Sequence, residues 1–165
     1  DTDPDYIFAR LDQRTAALTL RVSYTFNPEL TVEYYGQPFI AAGKYSDFKE
    51  ITIPDAGRFR ERFHVYEPAE IRYITDSNTY GIDKDADGIY ENSLDNPDFS
   101  FRQFRSNLVV RWEYLPGSTL YLVWSQGRTG SVADGDFSYG NDIGDLFRLK
   151  AHNVFLLKFS YWFSL

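Results

Sequence analysis

The final eleven residues, FLLKFSYWFSL from Phe155 to Leu165, restrict the fold more than any other stretch. Phe155, Leu157, Phe159, Tyr161, Phe163 and Leu165 share one parity; Leu156, Lys158, Ser160, Trp162 and Ser164 share the other. A period of two belongs to an extended strand, because a helix groups apolar residues at spacings of three and four. One face of this strand is therefore a continuous apolar stripe, four of its six residues aromatic. Such a stripe requires a cover. In a soluble fold the cover is a second layer of protein; in a membrane barrel it is lipid.

The same alternation recurs upstream. Ala16, Leu18, Leu20, Val22, Tyr24 and Phe26 alternate with Ala17, Thr19, Arg21, Ser23 and Thr25, about the length a tilted strand needs to cross a bilayer. A weaker alternation runs from Leu30 to Ala42. Pro38 cannot donate a ladder hydrogen bond, and with Gly36 it predicts a bulge or a strand end there. Ser106–Tyr114 and Ser118–Gln126 repeat the pattern around the tight turn Pro116-Gly117, as Asn27-Pro28 separates the first two strands. The expected organisation is a single segment over residues 1–165. Its strands lie at about 6–26, 30–46, 101–115, 118–127 and 151–165, with insertions at 47–100 and 128–150. Within the first insertion, 71–74 and 79–82 are expected to pair as a hairpin. The second, punctuated by Gly127, Gly130, Gly135, Gly140 and Gly144, reads as a flexible loop.

Short turns thus alternate with long insertions, as they do in outer-membrane barrels, whose periplasmic turns are short and outer loops long. With the tight turns and the C-terminus placed in the periplasm, Tyr24 and Phe26, Trp112 and Tyr114, and Tyr161 and Phe163 gather at the lower strand ends, where an interfacial girdle belongs. Trp124 and Phe155 mark the upper girdle. The predicted fold class is all-β: an antiparallel, up-and-down transmembrane β-barrel segment in a Gram-negative outer membrane, with long acidic extracellular loops. Five to seven strands are too few to close, since single-chain barrels begin at about eight. An open edge in hydrocarbon strands unpaired backbone groups. The segment is therefore expected to be the C-terminal strands of a larger barrel. Its expected partners are the lipid bilayer and either the remaining strands of the same barrel or another envelope chain.

Composition agrees with this reading. Aromatics make up 18 % of the chain and mean hydropathy is −0.42. No apolar run is long enough for a membrane helix, and a barrel hides its hydrophobicity in alternation. There is no cysteine, which excludes a thiol nucleophile or a disulfide framework. The net charge of −7 argues against nucleic acid as a partner. Its distribution is uneven: residues 76–98 hold seven acids and one base, and 131–145 hold four acids and no base, on a body carrying a small positive excess. The start at Asp1 reads as that of a mature chain or a fragment.

Tyr6–Glu50, Asn96–Arg128 (NPDFSFRQFRSNLVVRWEYLPGSTLYLVWSQGR) and Gly144–Phe163 (GDLFRLKAHNVFLLKFSYWF) resemble the C-terminal end of a bacterial family of unknown function. Its members are large envelope proteins that typically carry a family-9-like carbohydrate-binding domain ahead of a predicted outer-membrane barrel. The resemblance implies a barrel portion and missing upstream strands, and brings no catalytic residues. The final stretch also resembles the C-terminal signal of outer-membrane barrels at Lys158, Ser160, Phe163 and Leu165, with Ser in place of the usual Gly and Leu in place of the commoner terminal aromatic.

The sharpest local motif is Asp83-Lys84-Asp85-Ala86-Asp87-Gly88. Carboxylates at alternate positions followed by a turn glycine resemble the start of a calcium loop. Candidate ligands are Asp83, Asp85, Asp87, the carbonyl of Ile89, and Glu91 in place of a twelfth-position Glu, where Leu94 stands. The expected role of Ca2+ is to stiffen a loop, against the simpler reading of a solvated acidic turn. The inward charges Arg21, Glu33, Arg111, Glu113 and Lys158 either line a pore or pair across strands. His64 and His152 have no nucleophile or ligand set beside them. The expected function is a pore, membrane anchor or subunit of an envelope complex, with no chemistry of its own. The competing reading is a soluble β-sandwich acting as a carbohydrate-binding or envelope hydrolase module.

Overall fold

A computed structural model describes residues 5–163. The main sheet is built from β1 (Ile7–Ala17), β2 (Leu20–Asn27), β3 (Leu30–Ile51), β4 (Phe63–Val65), β8 (Phe99–Leu115), β9 (Ser118–Val132) and β10 (His152–Ser160). Between β4 and β8, β5 (Ile71–Ile74), β6 (Thr79–Ile82) and β7 (Asn92–Asp95) form a small separate sheet in that order. The large sheet has the order β1-β3-β8-β9-β10, with β2 and β4 also on β3. β2–β3, β3–β4, β8–β9 and β9–β10 pair antiparallel. Among the described residues the fold is all-β apart from one helix, α1 (Tyr139–Arg148), and a short 3-10 turn at Phe59–Arg62. The sheet is open: among the described residues β10 is paired only with β9, and no closed barrel forms.

Backbone contacts divide the chain into two compact units. One comprises Arg14–Ala42, Ser100–Val132 and the residues from Phe137 onward; the other comprises the residues up to Gln13, Gly43–Phe99 and Ala133–Asp136. In the first, β2, β3, β8, β9 and β10 run up and down in chain order. The Asn27 side chain nucleates the first turn by accepting the Glu29 and Leu30 N–H groups at 3.1 and 2.7 Å, an Asx turn. Glu113 accepts the Gly117 N–H at 3.1 Å in the second turn. The Glu113 N–H also reaches the Glu29 carbonyl at 2.7 Å, while Phe39 meets Phe101 with ring centroids 6.1 Å apart. The two contacts fix β3 and β8 as antiparallel.

The strand expected over 6–26 is two strands, β1 and β2, interrupted at Leu18-Thr19, and the disruption expected at Pro38 falls there instead. β3 runs straight through Pro38, whose carbonyl accepts the Leu18 N–H at 3.1 Å. Lacking an N–H, Pro38 has nothing to donate, so the facing strand loses continuity rather than its own. The strands also reach further than the alternation suggested: β3 continues to Ile51 and β9 to Val132. Residues 128–150 are not a flexible loop, since they contain the end of β9 and α1. The helix forms despite Gly140 and Gly144, each costing about 1 kcal/mol relative to Ala, because long-range contacts hold it. Leu146 is fully buried, Phe147 meets Phe104 at 5.1 Å, and the Arg102 guanidinium binds Asp142 at 2.7 Å and Asp145 at 3.3 Å. Arg128 donates to the Phe147 and Leu149 carbonyls at 2.6 Å, satisfying groups that a helix C-terminus leaves open. Gly130 admits this approach; a Cβ there would lie 2.8 Å from Leu149.

In the other unit, Phe48, Tyr66 and Ile82 form the core, packed by Ile7, Tyr45, Ile71, Tyr80 and Leu94. The hairpin expected at 71–74 and 79–82 is present as β5 and β6, with Ile71 opposite Ile82 and Ile74 opposite Thr79. β7 adds to it, Ile82 facing Asn92.

Candidate functional site

The acidic motif is the connection of the β6–β7 hairpin. Register brings Ile82 opposite Asn92, so residues 83–91 must turn between them. Ala86 and Gly88 take positive φ values of 59° and 96°, the left-handed conformation that Gly adopts without strain. The turn folds back on its own carboxylates. Asp83 accepts the Asp87 and Gly88 N–H groups at 3.1 and 2.8 Å, Asp85 accepts Asp87 N–H at 3.2 Å, and Asp87 accepts Ile89 N–H at 2.8 Å. Glu91 accepts the Lys84 N–H at 2.9 Å.

One oxygen from each of Asp83, Asp85, Asp87 and Glu91 lies within 4.8 Å of the others. Calcium holds its oxygens at about 2.3–2.6 Å, so two of its ligands are never more than about 5 Å apart. The four carboxylates meet that condition together. Asp83 is buried and the other three are exposed, a closed base with an open mouth. The Ile89 side chain points into solvent at 68 % exposure, so any part it plays is through its backbone. Of the five residues the spacing selected, the four carboxylates converge.

The one cation of the motif faces away. Lys84 binds Asp5 and Glu50, both at 2.9 Å. Partial burial works against its charge, but these two carboxylates outweigh it and raise its pKa. Asn92 donates to Asp5 at 2.6 Å, and the Tyr66 hydroxyl donates to Glu50 at 2.8 Å. Burial, then the hydrogen bond to Glu50 and after it the Glu50 charge, push the Tyr66 phenol well above its ordinary range. The loop is thus tied to its unit through residues 34 and 79 positions away, a connection that sequence spacing does not carry. His64 is held by Glu70, its Nε2 2.9 Å from both carboxylate oxygens, and His152 is exposed at the start of β10. Neither joins a catalytic constellation among the described residues.

The second candidate surface is the large sheet itself. Residues opposite each other in an antiparallel ladder share a face. The registers place Leu20, Val22 and Tyr24 with Gly36, Tyr34 and Val32. They likewise align Val110, Leu122 and Leu157 in one row, and Leu108, Trp124 and Phe155 in another. The opposite face carries Arg21, Glu33, Tyr35, Asn107, Arg111, Tyr121 and Lys158. Of the two readings open for these charges, pore lining or cross-strand pairing, two cations take a third course and stack on tyrosines across the strands. Arg21 lies 5.5 Å from the Tyr35 ring and Lys158 5.8 Å from the Tyr121 ring. The one ion pair in this set, Arg111–Glu113 at 2.8 Å, lies within a single strand. Tyrosines opposite the cations offer ring faces where acids were expected. Beside them a groove of about 470 Å³ is lined by Arg21, Glu33, Tyr35 and Asn107.

Away from α1, the apolar face is bare. Leu20, Leu122, Phe155, Leu157 and Phe159 are 51, 42, 68, 67 and 63 % exposed, and no second layer covers them among the described residues. Aromatics bracket it. Trp124 and Phe155 stack at 6.0 Å at one end. At the other, Tyr114 stacks on Phe159 at 5.5 Å and Tyr161 on Phe163 at 6.2 Å. Of the C-terminal signal, Leu165 lies outside the described residues.

These features define an all-β protein built on an open antiparallel meander, with one apolar and one polar face and a separate acidic hairpin. The chain belongs to the DUF5916 family, a domain of unknown function whose model matches residues 1–164. No curated protein and no solved structure matches it.

Proposed function

We propose that this chain is the C-terminal strand set of a transmembrane β-barrel in a Gram-negative outer membrane. It acts as a pore, anchor or complex subunit rather than by chemistry of its own. The observation that carries the reading is the bare apolar face. A contiguous exposed patch of this kind marks an interaction surface. The aromatic pairs at its two ends, the interfacial pattern of a bilayer, support lipid as the covering medium. A soluble sandwich would need a second sheet over Leu20, Leu122 and Phe159, where none lies among the described residues. The open edges are then completed by the remaining strands of the barrel, from the same polypeptide or another envelope chain, and an upstream carbohydrate-binding domain fits the envelope context. The polar face becomes the lumen, with the C-terminus in the periplasm.

The acidic hairpin is an outer loop in this arrangement, and its four convergent carboxylates support Ca2+ as its stiffening ion, with the Ile89 carbonyl available to complete the shell. The membrane reading is tested by purification without detergent: aggregation is expected, and a monodisperse detergent-free protein would refute it. Protease added to intact cells is expected to cut within 76–98 or 127–145 before the Pro116-Gly117 turn; the reverse order inverts the topology.

A further inference from the structure

α1 lies on the apolar face of the sheet, not the polar one. Arg102 and Phe104, which it covers, have the parity of Leu108 and Val110 on β8. Arg128 and Gly130, which receive its C-terminal end, have the parity of Leu122 and Trp124 on β9. At its N-terminal end, Tyr139 and Ile143 line an apolar slot of about 140 Å³ with Leu18, Pro38 and Ile40, residues of the Leu20 and Tyr34 parity. The helix therefore crosses the outer wall above the aromatic pair Trp124–Phe155. Four residues separate Trp124 from Arg128, about 13 Å along a strand, or roughly 10 Å of height at the usual barrel tilt. That is at or just beyond the outer edge of the headgroup region, which extends about 5–8 Å past the hydrocarbon on each side, within reach of the long side chains of the helix.

Its outward surface suits that layer. Tyr139 and Phe147 are half exposed, at 55 and 48 %. Arg148 is 84 % exposed and only loosely paired with Asp145 at 3.4 Å, and Lys150 is exposed just beyond. Of the helix acids, Asp142 is buried on Arg102, and Asp145, its side chain 44 % exposed, is shared between Arg102 and Arg148. An acidic loop thus presents a locally cationic, aromatic surface, the composition that binds anionic interfaces.

We propose that Tyr139–Lys150 is a lipid contact, in which α1 lies flat on the outer wall and Phe147, Arg148 and Lys150 engage the phosphate-bearing headgroups of the surrounding leaflet. This rests on the membrane reading of the sheet. The absence of native cysteine permits single-site labelling, and a Cβ at Gly144 meets nothing within 4 Å. A polarity-sensitive fluorophore on Gly144→Cys, in protein carrying its full set of strands and reconstituted into vesicles, is exposed to lipids bearing a quencher either at the headgroup or deep in the acyl chain. Headgroup quenching is expected at Gly144→Cys and deep quenching at Leu157→Cys. Quenching at 157 without quenching at 144 overturns the contact and leaves the barrel; no quenching at either overturns both. Gly140→Cys, equally open, replaces the first site if that variant fails to fold. The double variant Arg148→Gln, Lys150→Gln is expected to lower the headgroup-contact population in anionic vesicles about fivefold per charge removed and leave it unchanged in neutral ones. An equal response in both vesicles overturns the electrostatic half of the proposal.

Discussion

Leu156 and Leu157 are adjacent, both more than half exposed, and on opposite faces of β10. If water bathes both faces, arginine at either position is a surface change worth within about 0.5 kcal/mol. If lipid covers the apolar face, the two substitutions separate. Leu157 sits opposite Leu122, one cross-strand row below the Trp124–Phe155 pair. Two residues of tilted strand place it about 5 Å beneath the upper girdle. Arginine costs about 2–4 kcal/mol at the midplane of a barrel and about 0–1 near the interface. Leu157→Arg should therefore cost about 2 kcal/mol, roughly a 30-fold shift in the unfolding constant. Leu156→Arg, opposite Val123 on the polar face, should cost almost nothing. Denaturant unfolding of the vesicle-inserted protein measures both. Values for the two variants within about 0.5 kcal/mol of each other would refute lipid as the cover.

Calorimetry with Ca2+ should show binding heat that Asp85→Ala abolishes; Asp85 is the choice because it accepts the Asp87 N–H alone within the turn, whereas Asp83 holds two N–H groups. Equal heats for both proteins would remove the ion. Arg102→Ala leaves buried Asp142 without its cation, a change of about 3 kcal/mol or more, so amide exchange across 139–148 should accelerate strongly while β9 and β10 stay protected. The Glu67 N–H first, and His64 second, hold the Glu70 carboxyl below its ordinary range. Its stabilisation is complete above the ordinary glutamate pKa and is lost as pH falls through the lowered native value. Acid exchange at Glu67–Ile71 should show that loss, and Glu70→Gln should flatten it.

The strands were legible because side-chain parity is a local property: a residue's face follows from its neighbours two positions away. Cross-strand register then joined Val110, Leu122 and Leu157 into one row, as three separate alternations had implied. The acidic loop was legible for the same reason, since its four convergent carboxylates lie within nine residues. What escaped depends on distance. α1 has poor intrinsic propensity at Gly140 and Gly144 and exists through Arg102 and Arg128, so no window of sequence announces it. The ties from Lys84 to Asp5 and Glu50 are equally invisible locally. The break at Leu18-Thr19 followed from a proline on the neighbouring strand, and the cations of the polar face found tyrosines where charge logic alone predicted acids.

If lipid covers the apolar face as proposed, the sheet's flanks, unpaired among the described residues, constrain how a membrane can receive it. Each bare N–H or C=O carried into hydrocarbon costs several kcal/mol, and an edge the length of β10 exposes several at once. Half-inserted intermediates with β10 alone against lipid are too costly to accumulate. Entry into the bilayer and closure of the seam must then be one concerted event, and a product truncated before its seam partner should collect as aggregate outside the membrane, never as a partial cylinder within it.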